Sequence, residues 1–342
     1  FRRFARPATL RRMLVFIIQR LGQAAIVMLA VAVVSFSLFN FVGDPVNNMV
    51  GIETNEKERS EIRESLGLDD PIYVQFFSFV GNALRGQFGV SYRLTRPVTE
   101  IIMERMPATL ELSLVAAVFA LLVGIPMGVY TALYPGNWLS NIFLTVSLIG
   151  ISLPTFVIGI LLILLFSVNL GWLPSFGRGE TVPVGWWTTG LFSMSGWKAI
   201  IMPAVTLGLF QMTLIMRLVR AEMLEVLRTD YIRFARARGL PNRVVNFGHA
   251  LKNTLVPVIT IAGLQLGNII AFSIIVETVF QWPGLGQLII QAIQFADVPM
   301  MAAYLVMIAL IFVIINLVVD LLYYAVDPRM RIIKVESSDA DS

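Results

Sequence analysis

The chain has 342 residues, 57% hydrophobic and only 14% charged, against roughly 45–50% and about 25% in soluble domains. With a positive mean hydropathy, that balance excludes an ordinary soluble domain and makes the chain an integral membrane protein. There is no Cys and one His, His249, which excludes disulfides and thiolate chemistry and leaves no ligand set for a His-based metal or triad site; the net charge is a modest +4.

A spanning helix needs about 20 mostly apolar residues. Six runs meet that requirement: 21–42, 110–133, 139–168, 199–218, 254–280 and 302–325. Before the first, Arg2, Arg3, Arg6, Arg11, Arg12 and Arg20 occur without an acid, and the part before Met13 reads as a basic leader or a solvated tail. The first run is too long for a signal-peptide core and lacks a clear cleavage site, so it is expected to be a retained span. The third contains Pro154, where a kink or tilt is expected.

Orientation follows from Lys and Arg near the span ends. Residues 217–253 hold eight basic residues against Glu222, Glu225 and Asp230, whereas residues 43–105 hold seven basic and ten acidic ones. With six spans, the N-terminal tail and the 217–253 loop share a face, the cytoplasmic one, and both termini are inside. The expected organisation is a tail (1–20), a first span with a long extracytoplasmic segment (21–109), a five-span core (110–325) with a loop at 228–253, and a C-terminal tail (326–342).

The first outer segment contains "NEKERSEIRESLGL", with Glu and Arg or Lys at helical neighbour spacings. Asp70-Pro71 then reads as an N-cap followed by proline at the first helical position, opening a helix whose aromatics (Tyr73, Phe76, Phe77, Phe79) place it at the membrane surface. The second, 169–198, looks irregular. Its Trp172, Trp186, Trp187 and Trp197 fit either an interfacial aromatic belt or a contact surface for an external partner. The third begins with the Pro283-Gly284 turn and continues into a short amphipathic piece.

Catalytic motifs are missing. The only lysines are Lys57, Lys198, Lys252 and Lys334, and none completes a phosphate-cradling GxxxxGK[ST] loop; HExxH is also absent. Any ATP used by this protein is therefore hydrolysed on another chain. Within the spans, Glu277 and Asp320 sit near ends, where an interfacial position accounts for them. Gln211, Gln265, Asn268 and Asn316 lie deeper. Gln265 and Asn268 share a helical face, and the four suit either helix–helix hydrogen bonding or the lining of a solvated pathway.

The stretch "DYIRFARARGLPNRVVNFGHALKNTLVP" (Asp230–Pro257) interrupts two spans with basic residues. "MLEVLRTDYIRFARA" can continue the fourth span as a helix, Gly239 breaks it, and Pro241 restarts the chain. Val244, Phe247, Gly248 and Leu251 then form an apolar stripe at i, i+3, i+4, i+7. Two short helices at a basic bend suit docking into a groove on a soluble partner, or seating on anionic lipid.

That stretch resembles the cytoplasmic loop of ABC importer permeases. Its form, "ARARGL" followed by "HALKN", is similar to the membrane subunits of bacterial dipeptide, oligopeptide and nickel importers. "GDPV" (Gly43–Val46), "LGLDDP", "VETVFQWPGLGQ" and "NLVVDLLYYAVDPRMR" match the same family in order, from about Met13 to Arg331. Arg233 and Phe234 stand where the general motif has Glu-Ala, and Lys252 where it has a closing proline, a deviation that the peptide-importer branch shares.

The resemblance implies an all-α, six-span permease subunit with a coupling-helix loop between spans four and five, in the bacterial cytoplasmic membrane. It implies a second homologous permease, two ATPase subunits carrying ATP and Mg, and an extracytoplasmic solute-binding protein, with no cofactor on this chain and no nucleic-acid partner. Arg233, Ala235, Ala237, Arg238, Gly239, His249 and Leu251 would form the coupling loop, with Ala235, Ala237 and Gly239 allowing close approach and the arginines fixing orientation. His249 would be a contact or merely solvated. The cargo would be di- or oligopeptides, alternatively nickel or another small solute; a stand-alone secondary transporter is the rival from another class.

Overall fold

The computed structural model describes residues 7–41, 55, 57, 60, 63, 64 and 69–326. "GDPV", most of the 55–68 charged stretch, Arg2, Arg3, Arg6 and the tail beyond 326 lie outside the described residues. The elements are α1 (Pro7–Phe41), α2 (Ile72–Leu84), α3 (Val98–Leu133), α4 (Trp138–Ser152), α5 (Thr155–Leu162, prolonged by a π-helical stretch Ile163–Asn169), β1 (Val182–Val184), β2 (Trp187–Thr189), α6 (Met194–Val226), α7 (Asp230–Ala237), a second π-helical stretch Val244–Ala250 leading into α8 (Leu251–Val279), α9 (Leu285–Gln294) and α10 (Val298–Val326).

Among the described residues, five helices are long and apolar enough to cross a membrane, or six if the bent pair α4 and α5 counts as one. The expected kink at Pro154 falls at the break in that pair and is large: its halves meet at 114°. Pro154 disfavours helical dihedrals in the residue before it, and Leu153 is accordingly extended at φ −95°, ψ 137°. The long helices carry interior prolines, Pro107 and Pro126 in α3, Pro203 in α6 and Pro257 in α8, which neighbouring helices accommodate in membrane spans.

The chain forms two compact units, one of the described residues up to 106 with 288–317, the other of 107–287 with those from 318. In the first, α2 lies on α1 through Phe36 against Phe76 (ring centroids 5.5 Å apart) and Phe39 against Phe79 (5.8 Å), while Tyr73 and Phe77 are exposed. The helix starts one residue later than expected: Pro71 is its N-cap, and Asp70 contributes its carbonyl to the Gln75 side chain at 2.8 Å. The loop before α3 is pinned by buried Asp297, which accepts hydrogen bonds from the Ser91 hydroxyl and, at 3.2 Å, from Tyr92 N.

In the second unit α6 is the central element, with 72% of its apolar window buried. It packs against α4, α5 and α8, and α3 approaches it at backbone distance. A Cβ on Gly124 would stand 2.8 Å from the Met212 carbonyl, one on Gly128 2.7 Å from that of Met216, and one on Gly208 2.7 Å from that of Ala116. Small residues at these points let two helices meet where lipid offers no hydrophobic drive toward association. Around the seam lie two apolar clusters, one built on Met212, Met216, Val219 and Met223, the other on Leu112, Ile200, Met202, Phe280 and Trp282.

Gly128→Leu is expected to overpack this seam and cost about 1–3 kcal/mol or more, read as a lower unfolding midpoint in detergent. Gly22→Ala, where a Cβ meets nothing within 4 Å, should leave the midpoint unchanged.

Candidate functional site: a basic loop, a polar trio and two buried carboxylates

The loop after α6 is built by local signals. α6 ends at Val226, and α7 begins afresh at Asp230 after a turn in which the Thr229 hydroxyl donates to the Val226 carbonyl at 2.6 Å. The fourth span therefore does not continue unbroken into the loop. α7 closes with a Schellman motif: Gly239 N donates to the Arg236 carbonyl at 2.9 Å and Leu240 N to that of Ala235 at 3.3 Å, with Gly239 at φ +79°. Pro241 opens the next helix, taking Val244 N at 2.9 Å.

One face of this hairpin is fixed to the body. Ile232, Ala235, Val245 and Ala250 are buried with Met223 and Val258 in one cluster, and the Asn253 amide donates to the Tyr231 hydroxyl at 2.7 Å across the two helices. Ala235 thus packs on its own chain, correcting its expected place against a partner. The 244/247/248/251 stripe turns outward: Val244, Phe247 and Gly248 are exposed and Leu251 is half-buried. With Tyr231 and Phe234 (64% exposed) they form an apolar face. Exposed Arg233, Arg236, Arg238 and Arg243 border it, with Ala237, Gly239 and His249 also exposed. Arg233 pairs with Asp230 at 3.3 Å, and Arg238 lies 5.7 Å over the Phe234 ring. Both contacts are surface contacts of small worth, which leaves the arginines available.

Three of the four deep polar residues come together. Gln265 Oε1 accepts from the Asn268 amide at 2.6 Å and, more weakly, from the Gln211 amide at 3.5 Å. Gln211 is buried, and its Oε1 has no hydrogen-bond partner among the described residues. Asn268 is exposed. Asn316 is exposed on α10 and belongs to the other unit.

Two carboxylates had a stronger role than the sequence indicated. Glu277 is fully buried within the protein, two residues from the end of α8. It accepts from the Thr109 hydroxyl (2.7 Å), the Ser273 hydroxyl (3.1 Å), and Gly286 N and Gln287 N (2.7 and 3.1 Å) at the start of α9. The negative group thus caps a helix whose first amides have no intrahelical partner. Trp282 closes the same turn, its indole donating to the Ala108 carbonyl at 2.9 Å. The other, Glu111 on α3, is a charge inside a span. It forms a buried ion pair with Arg178 and accepts from Gly190 N at 3.0 Å, while Arg178 also donates to the Thr188 carbonyl at 2.6 Å. The spacing of an acid in one segment and an arginine 67 residues on carries no local signal; an acid in a spanning run was the available clue.

Arg178 and Glu111 anchor a structure where irregular chain was expected. Residues 182–189 form a β-hairpin, Val182 opposite Thr189 and Val184 opposite Trp187, turning at Gly185 (φ +65°). Trp186 at the tip is exposed and meets Trp187 edge-on, with ring centroids 5.4 Å apart. Trp172 is exposed as well and packs on Phe166.

The body is largely helical, and a basic loop fixed to it by one apolar face turns its other face outward. Residues 124–332 match the family of binding-protein-dependent transport system inner membrane components, and residues 13–113 match the N-terminal region of such membrane components; the chain belongs to that family. Among its relatives is the dipeptide transport system permease protein DppB of Alkalihalophilus pseudofirmus, 37% identical over 332 residues, covering 93% of this chain and 100% of the relative. The glutathione transport system permease protein GsiC of Escherichia coli K12 is also 37% identical, over 320 residues, covering 93% of this chain and 99% of the relative. The inward-facing MetNI methionine ABC transporter shares the fold, with a TM-score of 0.52 at 22% identity over 66% of this chain and 96% of that one. The chain is therefore a multi-pass inner-membrane permease subunit of the peptide-importer type.

Arg178→Met is expected to cost about 3–5 kcal/mol, because it leaves Glu111 buried without its cation. The added Glu111→Gln change should recover part of that loss, and a double-mutant cycle on the detergent unfolding midpoint measures it.

Proposed function

We propose that this chain forms half of the transmembrane pathway of an ATP-driven, binding-protein-dependent importer of di- and oligopeptides. The observation that carries the reading is the loop at 228–253, with its inner face locked into the apolar core and its outer face of Tyr231, Phe234, Val244 and Phe247 exposed among four arginines. A surface so built transmits force: a push on the outer face moves α6 and α8 together, because the inner face is packed against Met223 of α6 and Val258 of α8 in one cluster. In this reading the loop is cytoplasmic and seats on an ATPase subunit that holds ATP and Mg. A homologous permease supplies the other half, and both termini of this chain are cytoplasmic. The tryptophans at 172, 186 and 187 face the solute-binding protein on the opposite side.

The substrate class rests on the two relatives, whose names specify a dipeptide and glutathione, itself a small peptide. Equal identity to both supports short peptides as the class without choosing one member.

Reconstitution tests the assignment. Proteoliposomes holding this chain alone should show no concentrative uptake, and uptake should appear only with the second permease, the ATPases and the binding protein. Autonomous uptake would identify a secondary transporter instead. Gly239→Trp puts a side chain at a positive φ, at a cost of roughly 1–2 kcal/mol, on an outward surface where a Cβ meets nothing within 4 Å. Membrane insertion should survive while substrate-stimulated ATP hydrolysis is abolished; normal stimulation would count against the docking role.

A further inference from the structure

We infer that Gln211, Gln265 and Asn268 form a mid-membrane relay site that accepts hydrogen bonds from the N–H groups of a peptide in transit. The inference rests on the peptide-importer reading and deepens it. Gln265 is the central residue of α8, roughly 21 Å from either end at 1.5 Å per residue, and Gln211 lies near the centre of α6. Both are therefore at the depth where water is scarcest and polar groups are costliest.

Amides used only to fasten helices satisfy one another, and this trio does not. A primary amide has two donors and an acceptor oxygen with two lone pairs. Here one oxygen, Gln265 Oε1, receives both the Gln211 and Asn268 amides, at 3.5 and 2.6 Å. The two outer oxygens are left over. That of Gln211 is buried without a partner among the described residues, on a side chain only 3% exposed. Asn268, one helical turn from Gln265, is exposed, so the set extends from a buried acceptor to an accessible one.

What remains is a pair of acceptor oxygens, one buried and one accessible, and the matching cargo groups are N–H donors. A short peptide carries these as backbone amides and a terminal ammonium. The neutrality of the site fits transit as opposed to storage. Conduction requires binding favourable enough to enter and weak enough to leave, and a carboxylate at this depth would hold a cation too well. The fully saturated Glu277 and Glu111 show the contrast, since the donors around each belong to the protein itself.

The test uses the complete reconstituted complex with its ATPases and binding protein, labelled alanyl-alanine as the probe, and the ratio of dipeptide taken up to ATP hydrolysed as the readout. Gln211→Met keeps the side-chain length and removes the amide; it should lower the ratio about tenfold, the loss of one hydrogen bond to a charged donor. Asn268→Ala, at an exposed position, should lower it several-fold and decides the matter if Gln211→Met does not assemble. An unchanged ratio in the assembled variants, including a parallel fall in uptake and hydrolysis, would overturn the relay and leave the importer assignment standing. If the wild-type complex takes up no alanyl-alanine, the peptide assignment falls and the relay falls with it.

Discussion

Helices α3 and α6 meet with no side chain between their backbones at three successive points, Gly124, Gly128 and Gly208. In a bilayer this contact has no help from water exclusion between helices, so it relies on dispersion and close fit. Much else in this unit is referred to it. α3 brings Thr109 and Glu111 to the places where the 277–287 turn and the 178–190 hairpin find their partners. α6 carries Gln211 at its centre and the basic hairpin at its end. A shift of one helix against the other by one residue would misplace all of these.

Polar groups in so apolar a chain divide by how they are satisfied. Glu277 collects two hydroxyls and two helix-start amides; Glu111 collects an arginine, the Gly190 N–H and the Thr189 hydroxyl. These saturated carboxylates fix short non-helical segments that could not otherwise hold their backbone polar groups in place. The trio of Gln211, Gln265 and Asn268 is undersaturated, and the arginines of the basic loop are exposed.

Much of the architecture was legible from residue patterns. Apolar run length located the spanning segments, and Gly239 followed by Pro241 located the bend in the loop, because both signals are local. The same locality explains the errors. Pro154 announced a disturbance but not its size, since a 114° turn depends on what the two halves pack against. The stripe at 244/247/248/251 was read correctly as apolar. Its outward direction was invisible, because Val245 and Ala250 offered an alternative inner face that only the cluster with Met223 and Ile232 selected. Ala235 looked like a contact for a partner and is instead part of that inner face.

The sequence by itself determined the solvent, the helical class, the lack of a phosphate-binding loop and the family, because composition, period and ordered short motifs survive without coordinates. The tertiary structure alone decided which polar groups are finished and which are not. Glu111 and Arg178 are 67 residues apart, Thr109 and Glu277 168, Gln211 and Gln265 54. No periodicity links such pairs. Whether a buried carboxylate is a structural cap or an amide is an open acceptor is a fact about neighbours in space, and in this chain those neighbours come from distant helices.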